Sequence, residues 1–184
     1  MALEFLTSYL ADSLALFRQY KKHAEKALAQ VPDEHLSTTL DRESNSIAII
    51  MKHLAGNMRS RWTNFLTTDG EKPDRNRDSE FEAPPATRAA LMEMWEAGWA
   101  CLFQALEPLS DADLPRAVYI RGEAHSVMQA INRQVAHIAM HVGQIILLAK
   151  HFAARNQSWH SLTIPRGKSA EYNQRVAAGE ASQR

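Results

Sequence analysis

The sequence predicts an all-α protein, a four-helix bundle with a long loop after its second helix and a C-terminal tail packed on the bundle. Apolar residues recur at three- and four-residue steps through four long segments. Strand patterning is almost absent, and the 7 glycines and 7 prolines fall mostly between the segments. A chain of 184 residues, 45% hydrophobic and 23% charged, suits one globular domain with a core of its own. That domain is expected to span residues 1–177, docked tail included, with residues 178–184 disordered.

From Leu3 to Ala29 the positions Leu6, Leu10, Leu14, Phe17 and Ala24 mark one face of an amphipathic helix that ends before Pro32. A second helix is predicted over Asn45–Leu66, capped by Ser44, with Ile47, Ile50, Met51, Leu54, Met58, Trp62 and Phe65 on its apolar face. Thr67 to Ala86 is a polar connector of a length that in compact domains is functional or disordered. A third helix fits Arg88–Leu106, capped by Thr87 and stopped by Pro108. The run Val118-Tyr119-Ile120 has extended character but no evident pairing partner. A fourth helix starts at Ser126, where Ser126 and Gln129 have capping-box spacing, and runs to about Ala153. In the tail, Trp159, Leu162 and Ile164 are apolar enough to dock, and a short helix fits Ala170–Val176.

Lysine plus arginine equals aspartate plus glutamate at 21 each, so the basic excess of a nucleic-acid or anionic-membrane binder is missing. Uninterrupted apolar runs such as Ile145–Ala149 are far shorter than the ~20 residues of a spanning helix. No secretory leader is evident in Met1-Ala2-Leu3-Glu4-Phe5. With Cys101 as the sole cysteine, an intrachain disulfide is impossible. The expectation is a cytoplasmic protein with a small-molecule substrate and neither nucleic acid nor membrane as partner.

The 8 histidines carry the chemistry. His137 and His141 lie four apart on the fourth helix, hence on one face, where two imidazoles can converge on one metal ion at roughly 2 Å. Such a pair is more often solvated or satisfied within a core. Ile138 stands where a metalloprotease motif needs glutamate, and no histidine has a glutamate three residues before it, as a di-iron bundle requires. His53, on the edge of the second helix's apolar face, is the natural third ligand. Alone it reads as a core histidine bonded to a neighbour. Together the three make a three-histidine set from two helices, the donor number that leaves a tetrahedral ion one open position.

The early mid-helix His53 and the late His137-x-x-x-His141-x-x-Gln144 stretch resemble the DinB/YfiT-like superfamily of metalloenzymes, the damage-inducible bundle family. The stretches Lys52-His53-Leu54-Ala55-Gly56-Asn57-Met58, Asp69-Gly70-Glu71-Lys72-Pro73, His141-Val142-Gly143-Gln144-Ile145 and Ile164-Pro165-Arg166-Gly167-Lys168-Ser169 resemble a branch known only as a domain of unknown function. The resemblance implies an up-down-down-up bundle, often a homodimer. It further implies a divalent metal, zinc, nickel or iron, held by His53, His137 and His141. Characterised members of the superfamily are thiol S-transferases using bacillithiol, mycothiol or glutathione, and a maleylpyruvate isomerase.

A metal with an open position lowers the pKa of bound water to ~7 or holds a thiol as thiolate. Thiolate delivery needs no protein nucleophile, which suits a chain whose one thiol, Cys101, is remote from the histidines in sequence. The expected function is transfer of a low-molecular-weight thiol to an electrophile. The alternatives are a non-catalytic dimer with a structural, sensory or vestigial metal, and a metal-dependent hydrolase. Arg59, Arg61, Lys72, Arg75 and Arg77 could clamp the thiol's carboxylates, or instead pair with Asp69, Asp74, Asp78 and Glu80 to order the loop. Arg61, Arg75, Arg77 and Trp159 are the substrate-binding candidates. Asn57 and Gln144 are candidate partners of the ligands, or of one another.

Overall fold

Residues 8–153 and 159–182 are described by a computed structural model. The Ser8 hydroxyl accepts from the Ala11 amide at 3.0 Å and opens α1, Tyr9–Leu28. The part of the first helix expected over residues 3–7, Leu6 included, lies outside the described residues, as do 183–184 at the end of the tail. The second helix, α2, covers Ile47–Trp62, shorter than its apolar pattern. Ser46 rather than Ser44 caps it, accepting from the Ile49 amide. It stops at Trp62 because Thr63 turns extended and Asn64 adopts φ 49°, after which the Thr67 and Thr68 amides return to the Asn64 carbonyl. Phe65 therefore joins the core from a turn, its ring 5.0 Å from that of Trp62.

The third helix, α3, spans Arg88–Leu106 with Thr87 as its cap, as its sequence predicts. The run Val118-Tyr119-Ile120, of extended character but with no partner evident in the sequence, does find one. Strands β1 (Ala117–Ile120) and β2 (Glu123–Ser126) form an antiparallel hairpin, Ile120 opposite Glu123. Its two-residue turn, Arg121-Gly122, holds φ of 57° and 76°, the twist-matched geometry of tight hairpins. The fourth helix, α4, runs over Val127–Ala153 behind a complete capping box between Ser126 and Gln129. The short α5 covers Ser169–Ala177.

Helix α1 packs chiefly on α4 and α2 on α3, with an α2–α4 contact that carries the site. Trp95, Trp99, Phe17, Leu54 and Ile131 fill the core at 0–1% exposure. Taken as a whole helix, α4 is long and apolar enough to cross a membrane, with mean hydropathy 1.2 over 18 residues, although its uninterrupted runs are short. Its apolar stripe, Ile131, Ile138, Val142 and Ile145, is spent on the bundle interior. The tail is tied back by reciprocal bonds between the Gln30 amide and the His160 backbone, with Trp159 and Leu162 partly buried on the core.

The 67–86 connector is ordered by hydrogen bonds. The Asp69 carboxylate accepts from the backbone amides of Glu71, Arg121 and Gly122 at 2.7–2.8 Å, fixing the connector to the hairpin turn. These bonds hold its pKa below the usual carboxylate value. Farther on, Lys52 donates to the carbonyls of Ser79 and Glu82, drawing a 3-10 turn over Asp78–Phe81 onto α2.

Candidate metal centre

His53 sits mid-way along α2, and His137 and His141 one turn apart on α4, so the α2–α4 contact brings them face to face. One nitrogen from each lies within 4.8 Å of the other two. The His53 and His137 Nε2 atoms are 3.1 Å apart. Adjacent nitrogens on a tetrahedral ion at 2.0–2.1 Å lie about 3.4 Å apart, so this spacing is close to a coordination edge.

The far side of each ring decides which nitrogen is bare. His53 Nδ1 donates to Glu80 Oε2 at 2.8 Å, leaving Nε2 with its lone pair toward the other imidazoles. His141 Nδ1 donates to Gln144 Oε1 at 2.7 Å, with the same result. Both rings thus hold the tautomer a metal needs. His137 Nδ1 is buried with no partner among the described residues. Burial, then the nearby His141 and His53, pushes the His137 pKa down to about 3. Burial also lowers that of His141. Three imidazole nitrogens within this reach, those of His53 and His141 backed by a carboxylate and an amide oxygen, are a donor set that fits a divalent cation.

Glu80 is the functional residue that the pattern of histidines leaves unseen. Buried at 6% exposure, it takes a two-point grip from Arg75, Nε to Oε1 at 2.8 Å and a terminal nitrogen to Oε2 at 2.9 Å. Burial alone would raise its pKa, but the bonds from His53 and Arg75 hold it below the usual value. Arg75 also reaches Glu71, which Arg61 binds at 2.7 Å. Phe81 packs on the His53 ring with centroids 4.7 Å apart. A trace of this arrangement is present in the sequence. Gly56 interrupts α2, and a Cβ there would stand 2.6 Å from Glu80 Oε1, so the carboxylate enters over a bare helix turn.

Beside the three imidazoles lies a cavity of about 410 Å3 between α2, α4, the connector and the hairpin. Arg61, Arg75 and Arg77 line it, as do Asn57 and His137. Gln144 is instead exposed and bonded to His141, so Asn57 and Gln144 are not paired with each other. Trp159 is not brought to the cavity; it packs against the core under the tail. Of the expected loop pairs, Arg75–Glu80 and a long Arg77–Asp78 contact form, while Arg61 pairs with Glu71 instead, so Arg61 and Arg75 both order the loop and face the cavity.

The helical bundle thus carries a three-imidazole cluster compatible with a metal site. The chain belongs to the family DUF1572, described as a protein of unknown function, whose model matches residues 4–168. The curated proteins contain no match to it. Among solved structures it is similar to YfiT from Bacillus subtilis, described as a probable metal-dependent hydrolase with an unusual four-helix bundle topology. Identity is 17% and the TM-score 0.56, over 82% of this chain and 93% of that one.

Proposed function

We propose that the protein is a divalent-metal-dependent enzyme that transfers a low-molecular-weight thiol to an electrophilic small molecule. The supporting observation is a three-imidazole donor set, two members of which, His53 and His137, line a cavity with five arginines and no Asp or Glu side chain in its lining. A divalent ion held by His53, His137 and His141 supplies Lewis acidity that makes a bound thiol or water nucleophilic near neutral pH. Glu80 and Gln144 set the tautomer and orientation of two ligands, and burial lowers the pKa of both His137 and His141, favouring their neutral, ligating form. The arginines attract the carboxylates such thiols carry. Cys101 lines a separate hollow beside Trp62 and Gln104, so the nucleophilic sulfur in this reading belongs to a co-substrate.

Hydrolysis is the second reading, favoured by the description of YfiT. Against it stands the position of Glu80: locked between His53 and Arg75, it is not free to act as a general base toward water. Elemental analysis should find one divalent ion per chain, lost in His53→Ala and His137→Ala while far-UV circular dichroism stays helical. The metal-loaded protein should conjugate bacillithiol, mycothiol or glutathione to monochlorobimane, and both variants should fail to. Hydrolysis of p-nitrophenyl acetate without conjugation would select the second reading. Bound metal with neither activity would leave a structural or sensory ion, and unchanged metal content in both variants would remove the site.

A further inference from the structure

Arg133 and Gln134 lie one turn before His137 on α4, so they reach into the cavity on the side away from His141. Gln134 is 4% exposed. Its Oε1 accepts from the Trp62 indole N–H at 3.2 Å, which fixes the amide and leaves Nε2 as the free end. That Nε2 is buried and has no partner among the described residues, so a donor is committed to the cavity wall with nothing to receive it. Across the same space Asn57, 8% exposed, holds an equally unpartnered Oδ1.

The charges around these amides share one sign. Arg133 forms no ion pair among the described residues, Arg77 meets Asp78 only at 3.8 Å, and Arg121 from the hairpin turn shares Glu71 with Arg61 and Arg75. The connector's acids are thus oversubscribed on one side of the cavity and missing on the other. A neutral ligand would leave this wall without compensation. A carboxylate or phosphate would satisfy the Gln134 donor and the Arg133 guanidinium together, with charge-assisted bonds.

We propose that Arg133 and Gln134, with Arg77 and Arg121 beside them in the cavity lining, form the subsite for an anionic group of the substrate, a carboxylate or phosphate set one helical turn from His137. As the substrate pocket of a metalloenzyme it rests on the reading above, but anion binding itself needs no metal. A cavity of about 410 Å3 has room for a small organic molecule that spans subsite and imidazoles together.

The test is a titration of the 15N-labelled chain, stripped with chelator and separately loaded with zinc, using succinate, inorganic phosphate and the neutral isostere succinamide. The expected result is saturable shifts of the Gln134 side-chain amide with succinate or phosphate, in both forms of the protein, and none with succinamide. The tighter of the two anions identifies the group. Arg133→Gln, on an exposed position, should keep the fold and weaken that binding about tenfold. The proposal is overturned if neither anion shifts Gln134, if succinamide binds as well, or if Arg133→Gln binds unchanged. Anion binding by a chain that takes up no zinc would instead refute the metal reading and leave the subsite standing.

Discussion

The Glu80 carboxylate accepts from His53 Nδ1 on one side and is gripped at two points by Arg75 on the other, so one side chain sets both the tautomer and the aim of a ligand. Glu80→Gln separates these tasks from bulk. The amide oxygen can still accept from His53, but the amide NH2 then faces the Arg75 donors, and the negative charge behind the imidazole is gone. Losing such a backing group typically weakens metal affinity about 10–100-fold. The expected outcome is that loss of zinc affinity, read by competition with a chromophoric chelator, with helical content unchanged. Affinity equal to wild type would show that Glu80 only fastens the connector. The sequence carries only an indirect trace of this role, Gly56 on α2: Glu80 itself lies in a polar connector with no periodicity, and its contact with α2 spans 27 residues. The His53, His137 and His141 set was legible because helical spacing ties two of the three together.

At the scale of elements, two helical glycines respond to opposite physics. Gly98 faces α2 so closely that a Cβ would lie 2.7 Å from the Ala55 Cα, a backbone atom that cannot step aside. Gly143 on α4 has nothing within 4 Å of its Cβ position. Glycine to alanine in an open helix position stabilises by up to about 1 kcal/mol. Gly143→Ala should therefore raise the urea midpoint. Gly98→Ala must part α2 from α3 and should lower stability by about 1–3 kcal/mol despite the same gain in propensity. Two midpoints moving the same way would contradict the close approach. Helices with their own caps and stripes, such as α3 and α4, were readable because their signals are local. The end of α2 was not, since Phe65 continues its stripe after the backbone has turned at Asn64. Nor was the hairpin, whose turn residue Arg121 holds φ 57° with its amide bonded to Asp69, 52 residues away.

Across the whole molecule, the two helices brought together at the site carry an acid sensitivity. His137, at a pKa of about 3 in the folded chain, has an ordinary value near 6.5 once unfolded. Above pH 6.5 the ring is neutral in both states and contributes no pH dependence. Below it the unfolded chain takes up a proton that the folded one refuses, so stability falls as pH drops from about 6.5 toward 3. The slope is at most about 1.4 kcal/mol per pH unit for one such group, less where solvent screens it. His141, lowered for the same reason, acts in the same direction, and Glu80, lowered by its partners, adds a loss of like sign below its unfolded value of 4.5. Metal-free protein should thus show a melting temperature that declines from pH 6.5 to 4, and His137→Gln should flatten that decline. Parallel curves for the two would mean that His137 is not held neutral by the fold. The same burial moves proton competition for the metal lower than the ordinary imidazole value of 6.5. Zinc affinity should therefore fall at a lower pH than that of a peptide with three ordinary imidazoles, and equal midpoints in a chelator competition run at stepped pH would show that burial of His137 and His141 does not act on the metal.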